Sequence, residues 1–238
     1  MSNIEEQILF EDNDLVAINK PAGLLTIPDR EGKEISVRQL LQKKYGEIFT
    51  VHRLDKETSG ILIFARNESA HKFFSLQFEN RETTKIYQGL ILGMPYEQSG
   101  VVNQPIAEHP SKKGMMTVYK KGKESITEYE VLESFRLYSH MQFRILTGRT
   151  HQIRVHMKFI GHPIVCDELY GDGKPVLLSS LKKKFKLSKN EEEERPILSR
   201  LALHSYRLKF KLNSKEFDLE APLPKDLRAC LQQLKKTS

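Results

Sequence analysis

His52-Arg53-Leu54-Asp55-Lys56-Glu57-Thr58-Ser59-Gly60 runs directly into Ile61-Leu62-Ile63-Phe64-Ala65. The apolar half, GILIFA, reads as a buried strand. The polar half precedes it and closes on a Thr-Ser-Gly turn. A polar loop on the end of a rigid strand is a good mount for a reactive group, and Asp55 is the candidate carboxylate. On the residues alone a second reading stands beside it: a structural ion pair of Arg53 and Asp55 above a threonine-rich turn.

Working outward, Leu15 to Ile18 is an apolar run ending in Asn19-Lys20-Pro21-Ala22-Gly23, a strand entering a turn. Val37, Leu40, Leu41 and Tyr45 keep helical spacing, with Ser36 as N-cap. Phe73, Phe74, Leu76 and Phe78 predict an amphipathic helix over 69–78. Strands are predicted over 85–92, 127–135 and 141–146. Thr150 is placed to cap a helix carrying Ile153, Met157 and Ile160, with Gly161 as the C-terminal glycine. Helices and strands mix without regular βαβ alternation, which predicts an α+β fold.

The chain has 238 residues, enough for one large domain or one domain with two lobes. With 39% apolar and 29% charged residues it is built to bury a core, which excludes a mainly disordered chain. Lys plus Arg number 38 against 31 Asp plus Glu, a net charge of +7. That balance suits a polyanionic partner, because cations that neutralise phosphates release counterions, and it equally suits a lysine-rich solvated surface. Cys166 and Cys230 form no CxxC pair or spaced framework, so a reducing compartment is expected. The first residues are polar, and no run approaches the ~20 apolar residues of a spanning helix. The expected setting is cytoplasmic, with no membrane.

Two stretches have the composition of surface insertions. His109 to Lys123 carries Lys112, Lys113, Lys120, Lys121 and Lys123. The segment 174–195 holds a lysine block over 182–189, followed by Glu191 to Glu194. Dense opposed charges suit a solvated loop, and a basic arm on an RNA backbone is the alternative.

Five ordered segments together resemble the RNA pseudouridine synthases, in particular the branch similar to ribosomal large-subunit synthase A. HRLDKETSG over 52–60 matches the HRLDxxTSG signature, and Asn19 to Gly23 resembles the opening NKPxG segment. Lys85-Ile86-Tyr87 resembles KxY, and Gly148 to His156 resembles GRTHQIRxH. Gly161-His162-Pro163 with Asp167 to Gly171 resembles the segment that follows. The resemblance spans roughly residues 8 to 210.

It implies a single catalytic domain over 1–238, with a bent, largely antiparallel mixed sheet flanked by helices around a central cleft. It also implies isomerisation of uridine in rRNA, tRNA or both, with no cofactor and no metal. Asp55 would be the essential aspartate, by attack on base or sugar or by removing a proton. A stacked base cannot reach it, so the nucleotide would be flipped out, at a cost of a few kcal/mol. Arg53 would fill the vacated place in the RNA, since a guanidinium stacks and hydrogen-bonds at once. Tyr87 would stack on the flipped uracil, and Arg149 would pair with Asp55 and orient it. Relatives often carry an N-terminal S4-type domain, for which no room is left before Ile8. Arg200 to Ser205 resembles RLxLHA, with Ser205 in place of the usual alanine.

His52, His151, His156, His162 and His204 are expected to be hydrogen-bonding or RNA-contact residues, because no HExxH or His/Cys spacing is present. No protein partner is implied and a monomer is expected. Two rivals remain. One is a catalytically silent RNA-binding protein on the same scaffold. The other is a nucleoside or glycoside hydrolase pairing Asp55 with Glu57 or Asp167, since such enzymes generally use two carboxylates.

Overall fold

β4 (Ser59–Ala65) is buried at every position, and the elements around it explain why. The computed structural model describes residues 4–29, 31–182, 185–186, 193–212 and 215–237. In chain order its strands begin with β1 (Ile8–Glu11) and β2 (Leu15–Lys20). Helix α1 (Val37–Tyr45) and β3 (Phe49–Thr50) precede β4. Then come α2 (Glu68–Glu79), β5 (Thr84–Leu92), β6 (Ser99–Asn103), β7 (Ile106–Glu108) and β8 (Met116–Val118). β9 (Ile126–Ser134) and β10 (Tyr138–Ile145) lead to α3 (Gln152–Phe159) and the short α4 (Leu178–Leu181). β11 (Leu203–Leu212), β12 (Lys215–Glu220) and α5 (Lys225–Thr237) complete the α+β set. The segment 183–184 and 187–192, the centre of the lysine-rich stretch, lies outside the described residues.

The chain divides into two compact units. The first comprises Met1–Tyr87, Arg144–Leu146 and His204–Pro222. Here β2 pairs antiparallel with β1 and β4, while β11 runs parallel to β4 through His204↔Ser59 and Ser205↔Gly60. β11 then turns back antiparallel into β12. Ile61, Ile63 and Ala65 face a core of Phe74 from α2 and Leu208, Phe210 and Phe217 from β11 and β12. Phe74 meets Phe210 edge-on at 5.4 Å, and Phe210 stacks on Phe217 at 4.9 Å. Burying each such side chain contributes about 1.5–3 kcal/mol, so this seam fixes where β4 lies.

The helix ends follow local chemistry. Ser36 caps α1 with a complete capping box, its hydroxyl accepting from the Gln39 N–H while the Gln39 side chain accepts from the Ser36 N–H. Asn67 caps α2 by accepting from the Ala70 N–H at 2.8 Å, a cap that the hydrophobic spacing did not mark.

The second unit comprises Gln88–Phe143, Thr147–Leu203 and Leu223–Ser238. β6 pairs antiparallel with β9, and β7 with β8 as a separate two-stranded sheet. That hairpin corrects the reading of 109–123 as a plain surface insertion. Met115, Met116 and Val118 pack against Ile106, Val155 and Tyr170, while Lys112, Lys113, Lys120, Lys121 and Lys123 stay exposed. Its apolar side is carried by methionines, and the lysine count obscured the alternation.

α3 also starts differently from the expectation. His151, not Thr150, is its N-cap residue, with φ 56° and no side-chain cap. The Gln152 side chain reaches back to the loop ahead of the helix, accepting from the Arg149 N–H at 3.1 Å. Ile160 lies past the last turn as the C-cap residue. Gly161 (φ 86°) ends it as expected, with Gly161 N–H on Lys158 and His162 N–H on Met157, the Schellman pattern.

Gly60 is the tightest point of the first unit. Its φ is 111°, and a Cβ there would lie 2.2 Å from the carbonyl oxygen of Ser205. We predict that Gly60→Ala lowers stability by about 3 kcal/mol or more, because strained backbone and a strand-to-strand clash add. Urea unfolding measures this; an unchanged midpoint would show that the crossing can open without cost.

Candidate active site

The loop ahead of β4 is held from beneath by Lys20. Its side chain is fully buried, and its ammonium donates to the carbonyls of Pro21 (3.0 Å), Leu24 (2.8 Å) and Lys56 (2.9 Å). Three protons thus meet three backbone acceptors, two on the 20–24 turn and one on the Asp55 loop. The Gly23 N–H reaches the same Lys56 carbonyl at 2.9 Å, in a φ of 80° that suits glycine. The Thr26 hydroxyl donates to Leu54 C=O at 2.9 Å and accepts from Leu54 N–H at 3.2 Å. Leu54 itself is buried, and the Thr58 N–H closes a turn onto Asp55 C=O at 3.1 Å. Backbone on both sides of Asp55 is therefore pinned. Arg53, on the same loop, is exposed.

His52 braces the other end of the loop. Its ring stacks on Phe78 at 4.9 Å and its Nε2 accepts from the Ile63 N–H at 3.2 Å. A ring whose Nε2 accepts must carry its proton on Nδ1, so it works as the neutral tautomer. Although part of the ring edge stays accessible, desolvation first, and the Lys85 charge second, push its pKa down to about 3.

Tyr87, on β5, is buried. Desolvation, with a smaller contribution from the nearby Asp55 charge, pushes its pKa up to about 12, and side-chain hydrogen bonding with Ser205 works the other way. The phenol is thus protonated through neutral pH and sits within electrostatic reach of Asp55. Ser59 and His204 anchor the strand ends behind it. Ser59 Oγ and His204 Nδ1 are 2.9 Å apart, and His204 Nε2 donates to Ala221 C=O at 3.1 Å, so Nδ1 is the acceptor of the serine proton.

Of the four expected site residues, Arg53, Asp55 and Tyr87 fall in the first unit and Arg149 in the second. Arg149 Nε donates to the Glu124 carbonyl at 3.0 Å.

Much of the GRTHQIRVH segment is scaffold. Gln152 Nε2 donates to Ile126 C=O and Thr127 Oγ1, and its Oε1 accepts from Thr147. His156, wholly buried, spans Thr127 Oγ1 at 2.8 Å and Gln104 C=O at 2.9 Å. His151 bonds Tyr170, and His162 Nδ1 lies 2.9 Å from Leu92 C=O. Arg154 grips both oxygens of Asp167 at 2.8 Å, and Asp167 Oδ1 also accepts the Leu169 and Tyr170 N–H groups. That engagement removes Asp167 as a second hydrolytic carboxylate. Among the described residues no group of three or more His, Cys, Asp or Glu is placed to hold a metal ion. Lys20 and Thr26 went unassigned on sequence, although Lys20 lay inside a quoted motif.

Asp55 thus sits on a braced strand-end loop with the buried Tyr87 phenol within electrostatic reach, and comparison with known proteins names the class. Residues 14–159 match the model of the RNA pseudouridylate synthase family. Ribosomal large subunit pseudouridine synthase D of Haemophilus ducreyi is 36% identical over 241 residues, covering 98% of this chain and 72% of that protein. The protein of the same name from Salmonella typhimurium is 34% identical over 233 residues, covering 94% and 69%. Among solved structures, human RNA pseudouridylate synthase domain containing 4 superposes with a TM-score of 0.74 at 26% identity, covering 98% of this chain and 94% of that one. Human RNA pseudouridylate synthase domain containing 1 gives 0.72 at 26% identity, covering 92% and 83%. The chain belongs to the RNA pseudouridylate synthase family and is a pseudouridine synthase.

Two predictions test the brace. Lys20→Met leaves three carbonyls without their donor and should cost about 3 kcal/mol of stability, with activity lost well below the unfolding midpoint. Urea titration with parallel turnover assays checks it; activity that survives at full level would place the loop's support elsewhere. For His52 the folded pKa lies below the unfolded value, so its stabilisation is complete above about pH 6.5 and declines as pH falls toward 3. Unfolding midpoints between those limits should therefore fall with acidity, and less so in His52→Phe, which keeps the stack and cannot be protonated. Equal acid slopes for both proteins would refute the assignment.

Proposed function

We propose that this pseudouridine synthase modifies uridines of large-subunit ribosomal RNA, with Asp55 as its catalytic carboxylate. The relatives named for that activity support the substrate, and the observation that carries the residue is the pinned backbone on both sides of Asp55. Fixing a carboxylate in advance lowers the entropic cost of its attack.

The reaction breaks the N1–C1′ bond of uridine, forms a C5–C1′ bond, loses the C5 proton and returns one to N1. No electrons are exchanged. Asp55 acts on the flipped nucleotide by bonding to base or sugar or by taking a proton. Arg53, exposed on the same loop, fills the place that the base leaves in the RNA. Tyr87 stacks on the uracil as a neutral phenol. Arg149 contributes Nη donors to the substrate. The exposed lysines of the β7–β8 hairpin offer phosphate contacts, positioned by the methionines beneath them. The two cysteines, buried and unpaired, agree with a reducing, cytoplasmic setting, and the reading needs one copy of the chain. No described helix is long and apolar enough to cross a membrane.

Asp55→Asn should reduce turnover at least about 10³-fold, the scale expected when a covalent or proton-transfer group is lost, while RNA binding persists. Carbodiimide primer-extension mapping of rRNA and tRNA, from cells with and without the gene, identifies the target. A vanished stop in 23S-type rRNA supports the proposal, a vanished stop in tRNA alone reassigns the substrate, and full activity in Asp55→Asn would falsify the residue assignment.

A further inference from the structure

We propose that Gln152 is a positioning residue for the isomerisation, setting Arg149 in place for the RNA through a one-way chain of buried hydrogen bonds. The proposal rests on the reading of Arg149 as a residue that donates to the substrate.

A glutamine carboxamide has two protons to give and two lone pairs on its oxygen. In the buried Gln152 all four are used. Nε2 donates to the Ile126 carbonyl at 2.9 Å and to Thr127 Oγ1 at 3.0 Å. Oε1 accepts from Thr147 Oγ1 at 2.7 Å and from the Arg149 N–H at 3.1 Å. A carbonyl can only accept and an N–H can only donate, so Ile126 and Arg149 decide which end of the carboxamide is which. The other protons follow. His156 Nε2 donates to the Gln104 carbonyl at 2.9 Å, and in the neutral ring Nδ1 then accepts the Thr127 hydroxyl proton at 2.8 Å. Burial of His156 favours that neutral form. Thr127 Oγ1 is left as the acceptor for Gln152, while Thr147 Oγ1 accepts the Ile126 N–H at 2.9 Å. With the ring neutral, reversing any of these bonds would set two donors or two acceptors face to face.

The chain ends on Arg149, in the short loop between β10 and α3. Its backbone N–H is held by Gln152, and its Nε donates to the Glu124 carbonyl at 3.0 Å. Glu124, Ile126 and Thr127 belong to one stretch of chain entering β9. Gln152 thus ties the root of Arg149 to the same stretch that holds its stem. A long arginine side chain loses rotamer freedom when it meets a substrate, and two fixed points settle part of that loss on folding.

The test pairs a contact readout with a catalytic one in the full-length protein. In the isotope-labelled chain the Arg149 Nε–H resonance is identified by its loss in Arg149→Lys, and its exchange with water is followed by NMR. Gln152→Met keeps the length of the side chain, removes all four bonds and should speed that exchange about tenfold. With an rRNA fragment as substrate it should lower kcat about three- to tenfold with little change in KM, the scale of one misplaced hydrogen bond. In an Arg149→Ala background the same substitution should lower kcat no further. Thr127→Val removes one of the four partners and should act in the same direction by about two- to threefold. It carries the test alone if urea titration finds Gln152→Met unfolded under assay conditions. Unchanged exchange overturns the positioning. Faster exchange with parental kcat overturns its bearing on the reaction, and so does an equal kcat loss with and without Arg149. If Arg149→Ala itself turns over normally while exchange is faster in Gln152→Met, the reading of Arg149 as a substrate donor has failed, and the contact has not.

Discussion

The burial of the Lys20 ammonium is the constraint on which the site depends. A cation removed from water is expensive unless its protons are used, and Lys20 spends all three on carbonyls that would themselves be costly to bury unpaired. Because two acceptors lie on the 20–24 turn and one is Lys56, the ammonium joins segments far apart in sequence. The Asp55 loop cannot shift without breaking a charge-assisted bond in a dry environment. Thr26 repeats the device on the other side of Asp55 with a neutral hydroxyl. The loop gains rigidity without secondary structure of its own.

A second constraint runs through Gly60. Lys20 pairs with Gly60 in the β2–β4 register, and Gly60 pairs with Ser205 on its other side. The buried ammonium and the glycine crossing thus lie on one line across three strands. This explains why a Thr-Ser-Gly turn follows the carboxylate: Thr58 closes the turn, Ser59 is consumed by His204, and Gly60 admits β11. Each of the three residues solves a packing problem at the crossing of β4 and β11.

Much of this was legible in the residues, and the reasons for the gaps are physical. β4, β2, α1 with its Ser36 cap and the α3 terminus at Gly161 follow from periodicity and capping chemistry, which are local. Asp55, Arg53 and Tyr87 were singled out through motif resemblance, since no local pattern marks an aspartate as reactive. The β7–β8 hairpin was hidden by its lysines, because exposed charge dominates composition while three apolar side chains decide the fold. The start of α3 was missed because His151 enters the helix at positive φ with no side-chain cap, a backbone geometry that residue spacing does not mark.

The least legible feature was the division of labour inside the motifs. Lys20 and Thr26 look like surface-turn residues in a linear reading, and only the fold shows them facing inward. The opposite error threatens GRTHQIRVH, where six polar residues invite a catalytic reading. Gln152, His156 and Arg154 are committed to buried partners, so their chemistry is structural satisfaction of polar groups rather than exchange with solvent. A polar side chain acts on substrate only if its bonding capacity is left over after folding. The Asp55 loop is held through backbone groups on either side of the carboxylate, Lys20 taking the Lys56 carbonyl and Thr26 both backbone groups of Leu54.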